Sequence, residues 1–198
     1  MDTERLHQQF AFLREIDREK EITRQTWLAD GSRKENDAEH AWHMAVMALL
    51  LAEYANEKVD VLHTMSMLLI HDLVEIDAGD TFCYDMEGQK TQAAREQAAA
   101  DRLFALLPED QGKQLRALWE EFESADTPEA RFARTLDRIQ PTMLNAAAGG
   151  KGWTEHGTSL AQVLQRNACT AQGSQALWEY SRENFVRPFL EAGILKKE

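Results

Sequence analysis

Apolar residues recur along almost the whole chain at the spacing of an α-helix, i, i+3, i+4 and i+7. A clear example is the set Leu115, Leu118, Trp119 and Phe122. No segment shows the alternation of apolar and polar positions that predicts a half-buried strand. The pattern therefore predicts an all-α fold, a single helical bundle of about seven to nine helices. Residues 23–35 are polar and contain a glycine, so they are predicted to form a loop.

Local signals mark where several helices begin. Asn36 and Glu39 have the spacing of a capping box, and the helix that follows is apolar nearly all round, as expected of a buried central element. Asp60 is the expected N-cap of the next helix, and Thr127 followed by Pro128 predicts the start of a later one. Further helices are predicted over three more segments: 89–107, 157–171 and 174–191.

Chain length and composition fit a folded protein of modest size. The 198 residues are typical of one domain, and a hydrophobic content of 43% is enough for a core. We therefore expect residues 1–198 to form a single domain.

The charge balance narrows the class of partner. Lys and Arg number 22 against 34 Asp and Glu, which gives a net charge of −12. Affinity for polymeric nucleic acid comes mainly from cationic contacts with phosphates, so such a partner is not expected. A small phosphate ester stays compatible with this charge, because a metal ion and a few arginines can supply local positive charge.

Three features predict a soluble, cytoplasmic protein without a membrane partner. The first ten residues carry charges where a signal peptide needs an apolar segment. The longest apolar run, residues 44–52, is far shorter than the roughly 20 residues of a membrane span. The two cysteines, Cys83 and Cys169, form neither a metal-ligand spacing nor a disulfide framework, which suits a reducing compartment.

The most informative stretch lies at the end of an apolar helical run. His71 and Asp72 stand side by side there, and Glu75 follows at i+4 and i+3 from them, so the three share a helix face. Gly79 is a predicted C-cap, and Asp80 lies just past it on a loop. Such groups are costly to bury unless they pair or bind a metal. The alternative is a helix that leaves the core and keeps its acids hydrated.

Asp137 is a second candidate, because it lies within a predicted helix next to apolar residues. Pro141 follows four residues later and has no N–H to donate to the carbonyl of Asp137, so a kink is expected there. A shaped site is one interpretation. The other is an ordinary ion pair between Asp137 and Arg134 or Arg138.

Two histidines lie at the start of the central apolar helix, His40 and His43. Together with Asp137 and the His71–Asp72 pair they offer imidazoles and carboxylates, a donor set that suits Mn, Fe, Co, Ni or Zn better than Ca or Mg. Only one of these two histidines is needed as a ligand. Their spacing alone does not choose between them.

The order of these residues, His40, then His71 with Asp72, then Asp137, resembles the signature of the HD-domain metal-dependent phosphohydrolases. The similarity covers roughly residues 20–145.

The flanking residues 33–40 and 71–80 resemble the 5′-deoxynucleotidase branch of that superfamily. In this branch the first metal ligand follows an Ala-Glu type pair, so the resemblance assigns the role to His40 and leaves His43 outside the motif.

The resemblance implies one divalent ion per subunit, bound by four ligands: His40, His71, Asp72 and Asp137. It also implies an enzyme, a phosphohydrolase that cleaves a small nucleotide-like phosphate ester, with 5′-deoxynucleoside monophosphates as candidates. Glu75 would position or deprotonate the attacking water, and Asp80 would contact the sugar or the leaving side. Alternatively, Glu75 only orients His71. Helices over 153–192 would pack on the motif region, and a homodimer is expected by similarity.

The expected substrate contacts lie upstream of the metal motif. Arg24 and Trp27 resemble an Arg/Trp element placed over the nucleotide, although Thr26 stands where related sequences often have Gly. After Asp80 the family often continues Thr-Pro, whereas this chain continues from Thr81 with Phe. Four cationic residues are candidates to bind the phosphate: Arg24, Arg33, Lys90 and Arg138. The alternatives are solvated surface charges for the cations and simple packing for Trp27.

Two other functional classes remain open at this stage. The departures from the family pattern fit a protein that binds metal and nucleotide without hydrolysis, as a sensor or a scaffold. A carboxylate-bridged di-iron oxygenase fits less well. Such sites use two Glu-x-x-His pairs, and this chain offers only Asp37-x-x-His40.

Overall fold

The computed structural model describes residues 3–81 and 86–196. Twelve helical segments lie in these residues: α1 Thr3–Glu15, α2 Asp37–Leu51, α3 Val61–Ile70, α4 Glu75–Ala78, α5 Met86–Phe104, α6 Glu109–Ser124, α7 Pro128–Ala147, α8 Lys151–His156, α9 Leu160–Arg166, α10 Thr170–Gly173, α11 Gln175–Ser181 and α12 Arg187–Glu191. Two 3₁₀ segments, Ile16–Glu21 and Ala52–Tyr54, extend α1 and α2, and a π-helical turn, Arg182–Val186, joins α11 to α12.

The predicted fold class is confirmed. When the four-residue helices α4 and α10 are left out and α11 to α12 is taken as one continuous helix, the described residues contain nine helices. Residues 82–85, among them Cys83, lie outside the described residues. In the part of the chain that the structure describes, no helix has both the length and the apolar character needed to cross a membrane.

Helix α3 is the central element of the bundle. It contacts α2, α6 and α7. Its Met67 and Leu68 are fully buried, as are Met44 of α2 and Phe132 and Leu136 of α7. The side chains that follow the C-terminus of α3 therefore emerge inside the protein, where polar groups need partners.

The starts of the three central helices agree with the sequence signals. Asn36 Oδ1 accepts from the backbone N–H of Glu39 at 2.9 Å, and the Glu39 carboxylate accepts from the Asn36 N–H, which completes the capping box of α2. Asp60 caps α3, and Thr127 caps α7 with Pro128 in the first turn. These caps fix the register of the helices that carry the candidate ligands.

The predicted loop at 23–35 is wrong in part. It contains a two-stranded antiparallel sheet, the only one in residues 3–81 and 86–196, formed by β1 Thr23–Trp27 and β2 Lys34–Asn36. The strands escaped prediction because they are short and their buried residues, Thr26 and Glu35, are polar. No apolar alternation was therefore present to reveal them.

The helical run around His71 is also interrupted. Helix α3 ends at Ile70, a turn follows, and α4 begins at Glu75. The backbone stays hydrogen-bonded through this turn, since the Glu75 N–H donates to the carbonyl of Asp72 at 2.8 Å. Gly79 ends α4 with φ of 75°, the left-handed side that favours glycine, so the predicted C-cap is confirmed.

The C-terminal region differs most from the predicted boundaries. The single helix expected over 157–171 is divided between α9 and α10. It starts only at Leu160, because Gly157 ends α8 in a left-handed conformation and Ser159 begins α9 with a capping box. Pro141 lies inside α7, which continues to Ala147. Helices α10 and α11 pack against α7, so this region lies next to Asp137.

Candidate metal centre

Three separate helical segments bring the predicted ligands together. His40 comes from α2, His71 and Asp72 follow α3, and each of the three offers one ligand atom within 4.8 Å of the others. Asp137 of α7 is not part of that triplet, but its Oδ1 lies 3.2 Å from His40 Nε2. His71 Nε2 lies 3.0 Å from Asp72 Oδ1. The four side chains thus converge on one region.

Hydrogen bonds orient both imidazoles. His40 Nδ1 lies 2.9 Å from Gln140 Oε1, and His71 Nδ1 lies 2.9 Å from the carbonyl oxygen of Leu68. Both partners are acceptors, so each Nδ1 carries the hydrogen, and the lone pair of the neutral ring lies on Nε2. The Gln140 amide is itself oriented, because its Nε2 donates to Glu35 Oε2 at 2.9 Å. Nε2 of each ring is thereby available to a metal.

The choice between the two histidines of α2 is resolved by position. His43 Nδ1 contacts Gln140 at 3.2 Å and the side chain is only partly buried. It does not belong to the triplet, whereas His40 is fully buried within it. The geometry therefore favours His40, as the resemblance implied.

Burial and neighbouring charges set the protonation of the site. Burial and the Arg24 guanidinium lower the pKa of His40 to about 4, so this ring is neutral at pH 7. Burial would also lower the pKa of His71, but Asp72 and Asp137 raise it to about 9. Burial opposes the charge of Asp137, yet the neighbouring Arg138 guanidinium holds its pKa well below the ordinary value. Asp72 and Asp137 thus already stabilise a positive charge on His71.

The donor set fits a divalent metal ion. His71 Nε2 is buried and, among the described residues, has no partner with hydrogen-bond geometry. Such an orphaned donor or acceptor is costly in a folded protein and calls for an explanation. Two imidazole nitrogens and two carboxylates are a common ligand set for Zn, Mn, Fe, Co or Ni. A cation here would replace the proton that His71 otherwise holds.

A second acidic group adjoins the first. Asp37, Asp72 and Glu75 each offer one oxygen within 4.8 Å of the others. Arg24 Nη1 donates to Asp37 Oδ1 at 2.9 Å and to Asp72 Oδ2 at 2.7 Å. Burial, with the charges of Asp72 and Asp37, raises the pKa of Glu75 well above its usual value. One proton between the Glu75 and Asp37 carboxyl groups explains how both are tolerated.

Several residues of the site were not found from the sequence. Gln140 lies one helical turn after Asp137, and that i+3 spacing was a usable signal. Asp37 precedes His40 by three residues, but from the sequence this spacing indicated only half of the ligand pattern of a di-iron site. Glu35, in the supposed loop, and Arg166, beyond the motif region, gave no signal at all.

The three predicted substrate contacts have different surroundings. Arg24 is largely buried and bonded to carboxylates of the site. Trp27 Nε1 donates to Glu155 Oε2 at 2.8 Å, and Arg33 pairs with Glu39 at the surface, where 56% of its side chain is exposed. Neither Trp27 nor Arg33 lines the cavities at the cluster. Nucleotide binding by these residues stays a prediction.

Two cavities meet at the cluster. A cleft of about 430 Å³ is lined by His71, Asp72 and Glu75, and a narrower cavity of about 110 Å³ lies on the other side of Asp137. Six residues line both spaces: Arg24, Asp80, Thr81, Asp137, Arg138 and Arg166. The volume of the cleft lies within the roughly 300–1,000 Å³ range of small-molecule sites.

Comparison with known proteins agrees with this geometry. The family model described as HD domain matches residues 16–178. The chain belongs to the HD domain family. The predicted family is thereby confirmed.

This HD domain chain is similar both to curated proteins and to a solved structure. It is 34% identical to the 5′-deoxynucleotidase HDDC2 of Bos taurus and 32% to that of Homo sapiens, in each case over 130 residues, 65% of this chain and 62% of the relative. The match thus spans less than two thirds of those proteins. A solved structure, a predicted metal-dependent phosphohydrolase from Magnetospirillum magnetotacticum MS-1, is 48% identical with a TM-score of 0.92, over 97% of this chain and 96% of the other.

The metal cluster leads to a direct prediction. His71→Ala and Asp72→Ala should each abolish retention of a divalent metal, because three remaining ligands leave an incomplete coordination shell. Elemental analysis after metal loading and dialysis measures the occupancy. His63→Ala is the matched control, since His63 pairs with Glu121 outside the cluster. Full occupancy in both cluster variants would show that the metal is held elsewhere.

Proposed function

We propose that this HD domain protein is a metal-dependent phosphohydrolase, a phosphomonoesterase that acts on a small nucleotide-like substrate, with 5′-deoxynucleoside monophosphates as the candidates. The observation that carries the proposal is the convergence of four side chains of the types that bind divalent metals, His40, His71, Asp72 and Asp137. They lie beside Glu75 and next to a cleft that is also lined by arginines. Two of the relatives are named 5′-deoxynucleotidases and the similar solved structure is a predicted metal-dependent phosphohydrolase, which supports the same proposal.

We assign four residues to one divalent ion per subunit: His40, His71, Asp72 and Asp137. The donor set suits Mn, Co, Fe, Ni or Zn, and Mg fits it less well because Mg prefers an all-oxygen shell. When bound, such an ion neutralises charge on a phosphate and lowers the pKa of a water ligand.

Glu75 is the residue we assign to proton transfer. It lies one turn after Asp72, it lines the cleft beside the metal-type ligands, and its Oε2 is buried without a hydrogen-bond partner among the described residues. The neighbouring carboxyl group of Asp37, with an oxygen within 4.8 Å of a Glu75 oxygen, offers a second place for a proton taken from water. If Glu75 only oriented His71, it would contact that ring, yet the His71 Nδ1 bond goes to Leu68.

The remaining assigned roles concern the substrate. Asp80 lines both cavities, which suits contact with the sugar or the leaving side. The negative phosphate would be balanced at the junction of the cavities by Arg24, Arg138 and Arg166, which line both spaces. Trp27 and Arg33 would need to exchange their present partners to reach a nucleotide.

The present contacts of Trp27 and Arg33 lead to a second candidate function. Because Trp27 and Arg33 are engaged by Glu155 and Glu39, the expected nucleotide platform is not assembled in this structure. This favours, as an alternative, a metal-binding protein that senses nucleotides or forms a scaffold without hydrolysing them.

We further propose that residues 1–198 form a single domain located in the cytoplasm. The packing of α10 and α11 against α7 supports attachment of the C-terminal helices to the motif region.

The exposed face of α2 and α3 supports a homodimer. Trp42, Leu49 and Leu50 lie within one helical face of α2 and are 64%, 58% and 68% exposed, and Leu62 and Leu69 of the neighbouring α3 are 72% and 46% exposed. Clustered exposed apolar residues mark interaction surfaces. A second copy of this chain is the partner we propose.

The activity is tested with purified protein and a panel of deoxynucleoside monophosphates. Phosphate release should require added Mn²⁺ or Co²⁺ and stop with a chelator. Glu75→Gln should keep the metal but lose roughly 10²–10⁴-fold in kcat, the usual contribution of a general base. Glu120→Gln, a surface carboxylate paired with Arg116, is the control.

Three results would decide against these assignments. No phosphate release from a fully metal-loaded protein removes the hydrolase, and nucleotide binding without turnover supports the sensor. An unchanged rate in Glu75→Gln would leave that residue a structural role only.

The dimer is tested by changing its proposed surface. Leu49→Glu should convert the dimer to a monomer, because a charge would be desolvated in an apolar interface. Light scattering coupled to size-exclusion chromatography measures the mass. Leu164→Glu, at a partly exposed leucine of α9, is the control. A monomeric wild type, or a dimeric Leu49 variant, contradicts the proposal.

A further inference from the structure

The narrow cavity beside Asp137 differs chemically from the cleft. At the junction both spaces share arginines and acids, but beyond it the narrow cavity is lined mostly by hydroxyl, amide and apolar groups, among them Thr142, Asn145, Thr158 and Trp153. The wall of the cleft, in contrast, consists mainly of charged side chains, six acids and four arginines. An uncharged group with hydrogen-bonding capacity therefore suits the narrow cavity better than a second phosphate does.

Two polar atoms in this cavity wall lack hydrogen-bond partners among residues 3–81 and 86–196. One is the acceptor Asn145 Oδ1 and the other is the donor Arg138 Nε, and both are buried. Other amides in the wall are satisfied: Asn167, for example, donates to the Val163 carbonyl and accepts from Thr170. Unsatisfied buried polar atoms are rare in native proteins and point to an absent water or ligand group.

The orientation of the Asn145 amide is fixed. Its Nδ2 donates to the carbonyl oxygen of Pro141 at 3.0 Å, so turning the amide over would place two oxygens against each other. The acceptor must therefore be Oδ1. Asn145 occupies the helical turn that follows the proline, which connects the position of this acceptor to the unusual residue Pro141.

Gly152 provides the space that Oδ1 occupies. A Cβ at Gly152 would overlap Asn145 Oδ1. The backbone of Gly152 does not require glycine, since its φ is not positive and it lies within α8. Glycine inside a helix costs about 1 kcal/mol relative to alanine, so the space that it leaves is the physical reason for its presence.

We propose that the narrow cavity receives one polar group of the uncharged leaving part of the substrate, with Asn145 Oδ1 accepting a hydrogen bond from a sugar hydroxyl or a base N–H, and with Gly152 keeping that acceptor in place. The inference rests on the proposed hydrolase function, because it places the phosphate in the cleft and the leaving alcohol beyond Asp137. Asn145 is a specificity-determining residue in this arrangement, and it takes no part in bond cleavage.

The test compares dAMP with two analogues. One lacks the 3′-hydroxyl (2′,3′-dideoxyadenosine 5′-monophosphate), and the other lacks the exocyclic amino group (the deoxyriboside 5′-monophosphate of purine). The wild type should disfavour one of the two by about tenfold in kcat/KM, the value of one hydrogen bond to a buried acceptor. The analogue that is disfavoured identifies the donor as sugar or base.

Asn145→Leu removes the acceptor at similar volume. It should lower kcat/KM for dAMP about tenfold, mainly through KM, and leave the disfavoured analogue nearly unchanged. Gly152→Ala should act in the same direction by displacing Oδ1. Asn184→Leu is the matched control, because Asn184 also donates to the carbonyl four residues earlier but lies exposed and away from the cavity. Circular dichroism verifies that each variant is folded.

Equal losses for all three substrates in Asn145→Leu, or no loss at all, would overturn the inference and leave an ordered water as the only partner of Oδ1.

A wild type that hydrolyses none of the esters would instead contradict the proposed function. In that case binding of free deoxyadenosine to the metal-free protein, measured by calorimetry, decides about the cavity. Binding that Asn145→Leu weakens about tenfold supports the assignment, and absent binding overturns it.

Discussion

The burial of charge at the end of α3 is the constraint on which this structure depends. An apolar central helix delivers His71 and Asp72 into the interior, and neither group is stable there without compensation. Arg24 compensates two carboxylates at once, Asp37 and Asp72, and it comes from a strand that is otherwise polar. Removing one partner of such a buried set typically costs about 3–5 kcal/mol. The β1–β2 hairpin is therefore required for the site, although it is a minor part of the fold.

The same constraint explains why the site has two halves. The imidazoles and Asp137 form the half that suits a cation, and Glu75 with Asp37 forms the half that holds a proton. Asp72 belongs to both. A cation on one side and a proton acceptor on the other is the arrangement that hydrolysis by water requires. The C-terminal helices add the narrow cavity, which neither half provides.

Much of this was accessible from the sequence, because it depends on local chemistry. Helical periodicity and the caps at Asn36, Asp60 and Thr127 predicted the bundle. The order of His40, His71, Asp72 and Asp137 predicted which side chains converge and the family to which they belong. The parts that were missed depend on contacts between distant segments. Glu35 acquires its role through Gln140 and Arg24, and Arg166 reaches the site through the packing of the C-terminal region. The hairpin was missed because its buried side chains are polar.

The central claim is that a single divalent ion is held jointly by three helical segments. Anomalous diffraction from crystals loaded with Mn²⁺ tests it most directly. The account predicts one peak per subunit, with Nε2 of His40 and His71 and carboxylate oxygens of Asp72 and Asp137 all about 2.0–2.5 Å away. A peak bound only by Asp37, Asp72 and Glu75, or one that His40 and Asp137 do not reach, would contradict it.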